Sequence, residues 1–200
     1  VLPSNIANTM SSPRKRLSPD LRRAQLLDIG SRLFAERPYE DVWIEEVADL
    51  AGVSRGLMYH YFSSKRDFFA EIIRVESARI LEMTAPDTSL PITEQVAAGL
   101  DAYIGYVLAH EHGIRAVNRG AMSGDTEIQA MVTAELGVQQ DRILAALPPA
   151  VREDEVLRTA LRGWVSFVRA VCLDWMDRRT ISKEDVRALC LRALEGLLRL

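Results

Sequence analysis

The sequence predicts an all-α chain: a small N-terminal three-helix unit followed by a larger helical unit, about nine helices in all. Three observations carry this. Apolar residues recur three and four apart through nearly every long segment, with no β-type alternation of note and no internal repeat. Prolines, glycines and Ser/Thr/Asp caps fall between those segments. Of the 200 residues, 48% are hydrophobic, enough for one large or two small domains with a real core.

Residues 1–19 are rich in Ser, Pro and Asn, lack periodicity, and read as a disordered basic arm, with Met10 a candidate natural start. Ser18 caps the first long helix and Pro19 suits its first position. Leu26, Ile29, Leu33 and Phe34 form that helix's apolar stripe, and Arg37-Pro38-Tyr39 ends it. A short helix over roughly 43–50 turns Ile44, Val47 and Ala48 to one side. Gly52 can take the positive φ that stops it, and Ser54 caps a second short helix over roughly 54–60. A fourth helix, 64–83, has Phe68, Phe69, Ile72, Ile73 and Ile80 on its apolar side. Residues 84–91, with two prolines, read as a linker. The expected units are therefore the arm at 1–19, the three-helix unit at 20–63, a linking helix at 64–83, and a larger domain at 84–200.

Beyond the linker, 92–110 carries Val96, Leu100, Tyr103, Ile104 and Val107 on one face. A shorter helix near 113–121 follows, broken by Ser123-Gly124-Asp125. Residues 126–147 are helical until Pro148-Pro149 stops them. Helices over 152–178 and 182–200 form a final pair, the second opened by a capping box of Ser182 and Asp185.

Two short helices joined by a Gly-containing turn are a helix-turn-helix, whose second helix enters the DNA major groove. Arg55 in that helix's first turn can bond guanine O6 and N7 bidentately. Gly56 lets the backbone approach closely, Tyr59 and Tyr61 suit phosphate contact, and Lys65 adds a cation near the next helix's N-terminus. Spacing alone serves a plain helical bundle as well, with Arg55 and Lys65 solvated and the tyrosines in the core.

The run 51–65, AGVSRGLMYHYFSSK, resembles the signature of the tetracycline-repressor (TetR) family of bacterial transcription regulators, approximately AGVS-K/R-G-TLY-x-YF-xx-K. The preceding helix and the upstream RAQLLDIGSRLFAERPYEDV resemble the family's start as well, so the likeness covers about 20–75. It implies an operator-binding protein in which Trp43, Ser54, Arg55, Gly56, Leu57, Tyr59, Tyr61 and Lys65 face DNA. Two departures stand out. Leu57 replaces the usual Thr, losing a hydroxyl while still able to touch a thymine methyl. Val42-Trp43 replaces the usual Thr-Ser cap, so Asp41 is expected to cap and the backbone contact of a hydroxyl at 43 is missing.

Net charge is −3, yet 10–25 holds five cations, Arg14, Lys15, Arg16, Arg22 and Arg23, against Asp20 alone. That window is +4, which leaves −7 for the rest. DNA responds to the local field, not to the sum. Arg14, Lys15 and Arg16 are read as an arm on phosphate or in the minor groove, rather than a solvated tail. There is no apolar run long enough to span a membrane and no apolar signal region in 1–20, so no membrane partner is expected. Cys172 and Cys190 fall at apolar helical positions and fit buried thiols in a reducing cytoplasm. His110 and His112 are two apart on a helix and cannot easily share a metal. No nucleophile constellation, phosphate loop or carboxylate pair is found; Asp101 and Glu135 stand alone. The expectation is no enzyme, no cofactor and no metal.

The last two helices are apolar on wide faces, through Leu157, Leu161, Val168, Cys172 and Trp175 on the first and Val186, Leu189, Leu194 and Leu197 on the second. A thick intramolecular core explains this, and so does a four-helix interface between two chains. The resemblance implies the homodimer, whose two recognition helices match a palindromic operator of double-stranded DNA. It also implies a small-molecule effector pocket among the middle helices. Tyr103, Tyr106, Val107, His110, Met122, Met131, Trp164 and Phe167 are its expected lining, suited to an apolar or aromatic effector. The implied function is a ligand-responsive regulator, most often a repressor. The alternative is a helical ligand-binding or protein-interaction protein whose motif does not read DNA.

Overall fold

A computed structural model describes residues 17–198; Arg14, Lys15 and Arg16 lie outside the described residues. Ten α-helices and one 3-10 turn make up the described chain, which holds no strand. Helix α1 (Pro19–Glu36) begins as expected, with Ser18 Oγ accepting from the Leu21 amide at 3.3 Å. The 3-10 turn Tyr39–Asp41 then leads into α2 (Ile44–Ala51). Asp41 does not cap α2. It is held inside the 3-10 turn, Trp43 occupies the cap position, and no side chain bonds the first amides. Glu45 and Glu46 in the first turn still place negative charge at that end.

Gly52 ends α2 at φ 64°, its amide reaching back to Ala48 and Asp49 carbonyls. Ser54 caps α3 (Arg55–Tyr61) through the Leu57 amide at 3.2 Å. Ser64 caps α4 (Lys65–Met83) through the Asp67 amide at 3.0 Å. The larger unit comprises α5 (Ile92–Ala109), α6 (Glu111–Asn118), α7 (Thr126–Ala146), the single turn α8 (Pro149–Arg152), α9 (Glu155–Arg178) and α10 (Lys183–Leu198). Helix α8 is separate from α9, because Asp154 caps a new start by accepting from Val156 and Leu157 amides. The Ser182/Asp185 capping box forms reciprocally, at 3.1 and 3.0 Å.

Two apolar cores result. The first joins α1 to α4 around Phe34, Met58, Phe62, Phe68 and Phe69, and it extends to Ala116 and Val117 of α6 and Ile128 and Val132 of α7. The second joins α5, α7, α9 and α10. Cys172 and Cys190 are buried free thiols within it, and burial pushes them up to about 12 and about 11.

The residues expected at a dimer interface are mostly not available for one. Leu157, Leu161, Val168, Cys172, Trp175, Val186 and Leu194 are buried within the single chain. Helix α10 covers that face of α9, pinned by indole donors: Trp164 Nε1 to the Cys190 carbonyl at 2.9 Å and Trp175 Nε1 to the Ile181 carbonyl at 2.8 Å. Leu189 remains exposed and Leu197 half-buried. The opposite side of α9 presents Thr159, Gly163, Ser166, Phe167 and Ala170 to solvent. Nothing lies within 4 Å of where a Cβ on Gly163, or on Gly196 of α10, would stand.

Candidate nucleic-acid interface and ligand cavity

Helix α3 is anchored by one residue. Met58 is fully buried, and burial of such a side chain is worth about 1.5–3 kcal/mol. With Met58 facing inward, helical spacing turns Arg55, Gly56, Tyr59 and His60 outward, and all four are exposed. His60 was not anticipated; its position four residues after Gly56 on the same face is the signal that could have found it. Arg55 forms an ion pair with Glu45 of α2, and its guanidinium lies 5.7 Å from the Tyr59 ring centroid. Arg22 braces the turn between the two helices, Nη1 donating to the Ala51 carbonyl at 3.3 Å and to Gln25 at 2.7 Å.

Other expected DNA-facing residues are engaged within the protein. Ser54 Oγ accepts the Leu57 amide, and Leu57 is half-buried. Tyr61 turns back, its hydroxyl donating to the Pro19 carbonyl at 3.4 Å. Lys65 Nζ donates to the Glu40 carbonyl at 3.2 Å and sits 4.4 Å from the Tyr39 ring centroid and 5.8 Å from that of Trp43. Desolvation among these rings lowers the Lys65 pKa, against the opposing pull of Glu40 and Asp41. Trp43 itself is 65% exposed. Lys65 and Trp43 therefore form one edge beside α3, whereas Tyr61 serves the packing of α3 against α1.

Next to Lys65, Arg66 reaches out of the three-helix unit. Its Nε and Nη2 grip both carboxylate oxygens of Asp125, each at 2.7 Å, and Nη1 meets Glu127 at 2.7 Å. Asp125 is also the cap of α7, accepting from the Ile128 amide at 3.1 Å. These bonds hold the Asp125 carboxyl down to about 2, the Arg66 guanidinium first. The first turn of α4 is thus fastened to the first turn of α7.

Helix α7 then lines a cavity. A half-open cavity of about 100 Å³ lies between α5, α7 and α9, walled by Val96, Leu100, Leu136, Ile143, Trp164 and Val168, with Thr84 and Arg142 at the linker end. A second cavity of about 60 Å³ adjoins it toward α1 and α4, lined by Ser31, Phe34, Glu76, Tyr106 and His110. Tyr103, Glu135, Leu136 and Arg169 line both. In the smaller cavity buried Glu76 accepts from Ser31 of α1 at 2.6 Å and from the Tyr106 hydroxyl at 3.2 Å, with Arg79 3.1 Å away. The His110 ring stacks on Tyr106 with centroids 4.0 Å apart. Burial pushes Glu135 up to about 7, opposed by the Ser77 hydroxyl and Arg169, and burial lowers the Arg169 pKa.

Of the expected pocket residues, Tyr103, Tyr106, His110 and Trp164 line these cavities. The other four do not. Val107 is fully buried in the second core, and Met122 and Met131 pack against the first. Phe167 points away, on the outer side of α9. Glu135 and Arg169 were not anticipated as lining, though each is a charge set within a buried apolar stripe: Glu135 three after Val132, Arg169 four after Val165. Among the described residues no three His, Cys, Asp or Glu side chains are grouped as metal ligands, and no helix is long and apolar enough to cross a membrane.

Comparison with known proteins agrees with this arrangement. A model of bacterial regulatory proteins of the tetR family matches residues 26–72, and a tetracyclin repressor-like C-terminal domain matches 92–195. The chain is 26% identical over 173 residues to the HTH-type transcriptional repressor Rv1474c of Mycobacterium tuberculosis, covering 84% of this chain and 87% of that protein. It is 27% identical over 119 residues to the HTH-type transcriptional activator FasR of Mycolicibacterium smegmatis, covering 58% of this chain and 54% of FasR. With FasR, the chain thus matches about half the relative's length, and with the repressors AcnR of Corynebacterium diphtheriae and KstR2 of Rhodococcus jostii 41% and 26%. A solved tetR-family regulator of Streptomyces coelicolor superimposes with a TM-score of 0.81 at 26% identity, covering 92% of this chain and 82% of that one. The recognition helix lies in the matched N-terminal segment, and the cavity falls mostly in the C-terminal match, which alone spans more than half of the sequence: the chain belongs to the tetR family of bacterial regulatory proteins.

Proposed function

We propose that the chain is a ligand-responsive transcriptional repressor that acts in the cytoplasm as a homodimer on a palindromic operator. DNA reading is supported by α3, which anchors through Met58 and leaves Arg55, Gly56 and Tyr59 exposed; Arg55 would exchange its ion pair with Glu45 for base edges, with Tyr59 beside it on phosphate. Because α10 covers the inner side of α9, the dimer face is reassigned to exposed residues: Thr159, Gly163, Phe167 and Ala170 of α9 with Leu189 and Gly196 of α10. Small residues at Gly163 and Gly196 let a second copy's helices come close, in an isologous four-helix contact. Such a pair matches half-sites spaced by helical turns of DNA.

The observation that carries the ligand response is the Arg66–Asp125 fastening. The effector occupies the cavity beside α7. A shift of α7 on binding is transmitted through its cap to the start of α4, one residue from Lys65. Reorienting α4 changes the separation of the two recognition helices, and the dimer can then engage only one half-site at a time. The effector acts by binding the DNA-incompetent arrangement better, as linkage requires.

The test is fluorescence anisotropy with DNA from immediately upstream of the coding region, across a salt series. Tight binding relative to random DNA, two chains per site and a steep salt slope are expected. Absence of any DNA binding at low salt refutes the regulator and leaves a helical ligand-binding protein.

A further inference from the structure

Three polar side chains converge on the wall between the two cavities with bonding capacity left over. Arg169 donates Nε to Asn118 Oδ1 at 2.6 Å, while its two terminal nitrogens hold no hydrogen bond or ion pair among the described residues. The Tyr103 hydroxyl has no hydrogen bond among them either. The Glu135 carboxyl, 8% exposed as a residue, has the Ser77 hydroxyl beside it and Arg169 as its facing charge. Arg169 is half-buried, and the acid facing it, Glu135, has its charged form disfavoured by burial, so the guanidinium has no firm anionic partner. Burial pushes Glu135 up to about 7, so near neutral pH much of it is protonated and can donate as well. Arginine, phenol and carboxylic acid then all offer protons to one spot. The complement of that set is an anion with two coplanar oxygens. Beyond the wall the larger cavity is apolar, and its volume of about 100 Å³, half-open to solvent, is two-thirds of the ~150 Å³ that accepts a benzene ring in other proteins.

We propose that this cavity takes a small monocarboxylic acid as its effector, the carboxylate bound bidentately by Arg169 with the Tyr103 hydroxyl alongside, and a ring or short chain of roughly six carbons between α5, α7 and α9. The identity of the effector rests on the ligand-responsive function proposed above. The other cation on the cavity wall, Arg142, lies at the linker end with Nη1 3.4 Å from Thr84 Oγ1. An acid held there would leave Arg169 unanswered.

The experiment is isothermal titration of the full chain with phenylacetate and octanoate, alongside phenylacetamide, octanol and phenethylamine. An acid is expected to bind at least about tenfold more tightly than its amide or alcohol. Arg169→Gln is expected to erase that preference while still binding phenylacetamide, which shows the cavity intact. Tyr103→Phe is expected to weaken the acid severalfold, and Arg169→Lys to keep part of the preference. Should Arg169→Gln fail to fold, these two variants decide. The assignment is overturned by no acid binding at millimolar concentration, by equal binding of acid and amide, by preference for the amine, or by a preference that survives Arg169→Gln and disappears in Arg142→Gln. Operator release is read separately. An acid that binds through Arg169 yet leaves operator affinity unchanged refutes the effector role and keeps the carboxylate site. Release by an uncharged compound indifferent to Arg169 refutes the carboxylate and keeps the regulator.

Discussion

Replacing Gly30 by Ala sets two effects of opposite sign against each other. Gly30 lies in the middle of α1, where alanine is the better helix former by about 1 kcal/mol. Propensity alone therefore predicts stabilisation. Packing predicts the reverse. A Cβ at this position would stand 2.6 Å from Ile72 Cδ1 and nearer still to the Phe68 ring of α4. The Phe68 ring has no room to yield, whereas Ile72 borders the smaller cavity and can turn its terminal methyl. Phe68 is fully buried and Ile72 is 3% exposed, and the Phe68 ring is flanked by Phe62 at 4.7 Å and Phe34 at 6.2 Å. Separating them to van der Waals contact needs a displacement of about 1 Å, and overpacking of that kind costs about 1–3 kcal/mol. The clash offsets the propensity gain and leaves a net loss of about 1 kcal/mol, seen as a melting temperature about 2–4 °C lower for a chain of this size. Because Phe68 also packs against Phe62 at the end of α3, operator binding should weaken at temperatures where the fold is intact. Thermal and urea unfolding of Gly30→Ala measure the first quantity. An unchanged or higher melting temperature would show that α1 and α4 are not this close in solution.

Further outcomes follow from the same geometry. Arg55→Ala is expected to cost about 1–3 kcal/mol on operator DNA and to relax base choice, whereas Lys65→Ala weakens all sequences alike and lowers the salt slope by about one; equal loss on operator and random DNA for Arg55→Ala removes it as a base reader. Glu135 has its acid form favoured by burial, with the folded value at about 7 against an ordinary 4.5. The stability this contributes is complete below about 4.5 and is lost as pH rises through 7, by up to about 3 kcal/mol. Glu135→Gln should not show that decline between pH 5 and 8, so parallel urea-stability profiles for the two proteins would exclude it. Arg66→Ala should leave operator affinity nearly intact but blunt release by effector, measured as a smaller ratio of operator affinities without and with ligand. Gly163→Arg, placed where nothing in the chain lies within 4 Å, should give monomers in sedimentation without lowering the melting temperature of the monomeric core; a dimer that persists refutes the outer face of α9 as the interface.

The local signals in the sequence were strong where one residue fixes one backbone group. Ser18 and Ser54 cap helices, Gly52 takes a left-handed turn, and Ser182 with Asp185 closes a box, all where spacing put them or close to it; Ser64, expected as the first residue of α4, caps it instead. What periodicity cannot decide is which of two partners covers an apolar face. The stripe of Leu161, Val168 and Cys172 is equally suited to a second chain and to α10, and α10 takes it through indole bonds to main-chain carbonyls that no pattern announces. The cavity was half legible for the same reason. Tyr103 and Trp164 lie on inward faces and line it, but Met131 is also apolar and inward and belongs to the other core. Asp41 failed as a cap because a 3-10 turn, invisible to helical periodicity, captures it first.

The placement of Ala116, Val117, Ile128 and Val132 in the same core as Phe34 and Phe69 bears on how this protein could be recombined with others. The proline-bearing stretch 84–91 looks like a seam, and a hybrid regulator would ordinarily be spliced there. Here that splice cuts through a shared core: the DNA-reading part would leave behind four of the buried apolar residues it folds against, and Arg66 would lose Asp125. A chimera that keeps 111–132 with the recognition unit, and exchanges only what surrounds the cavity, preserves both.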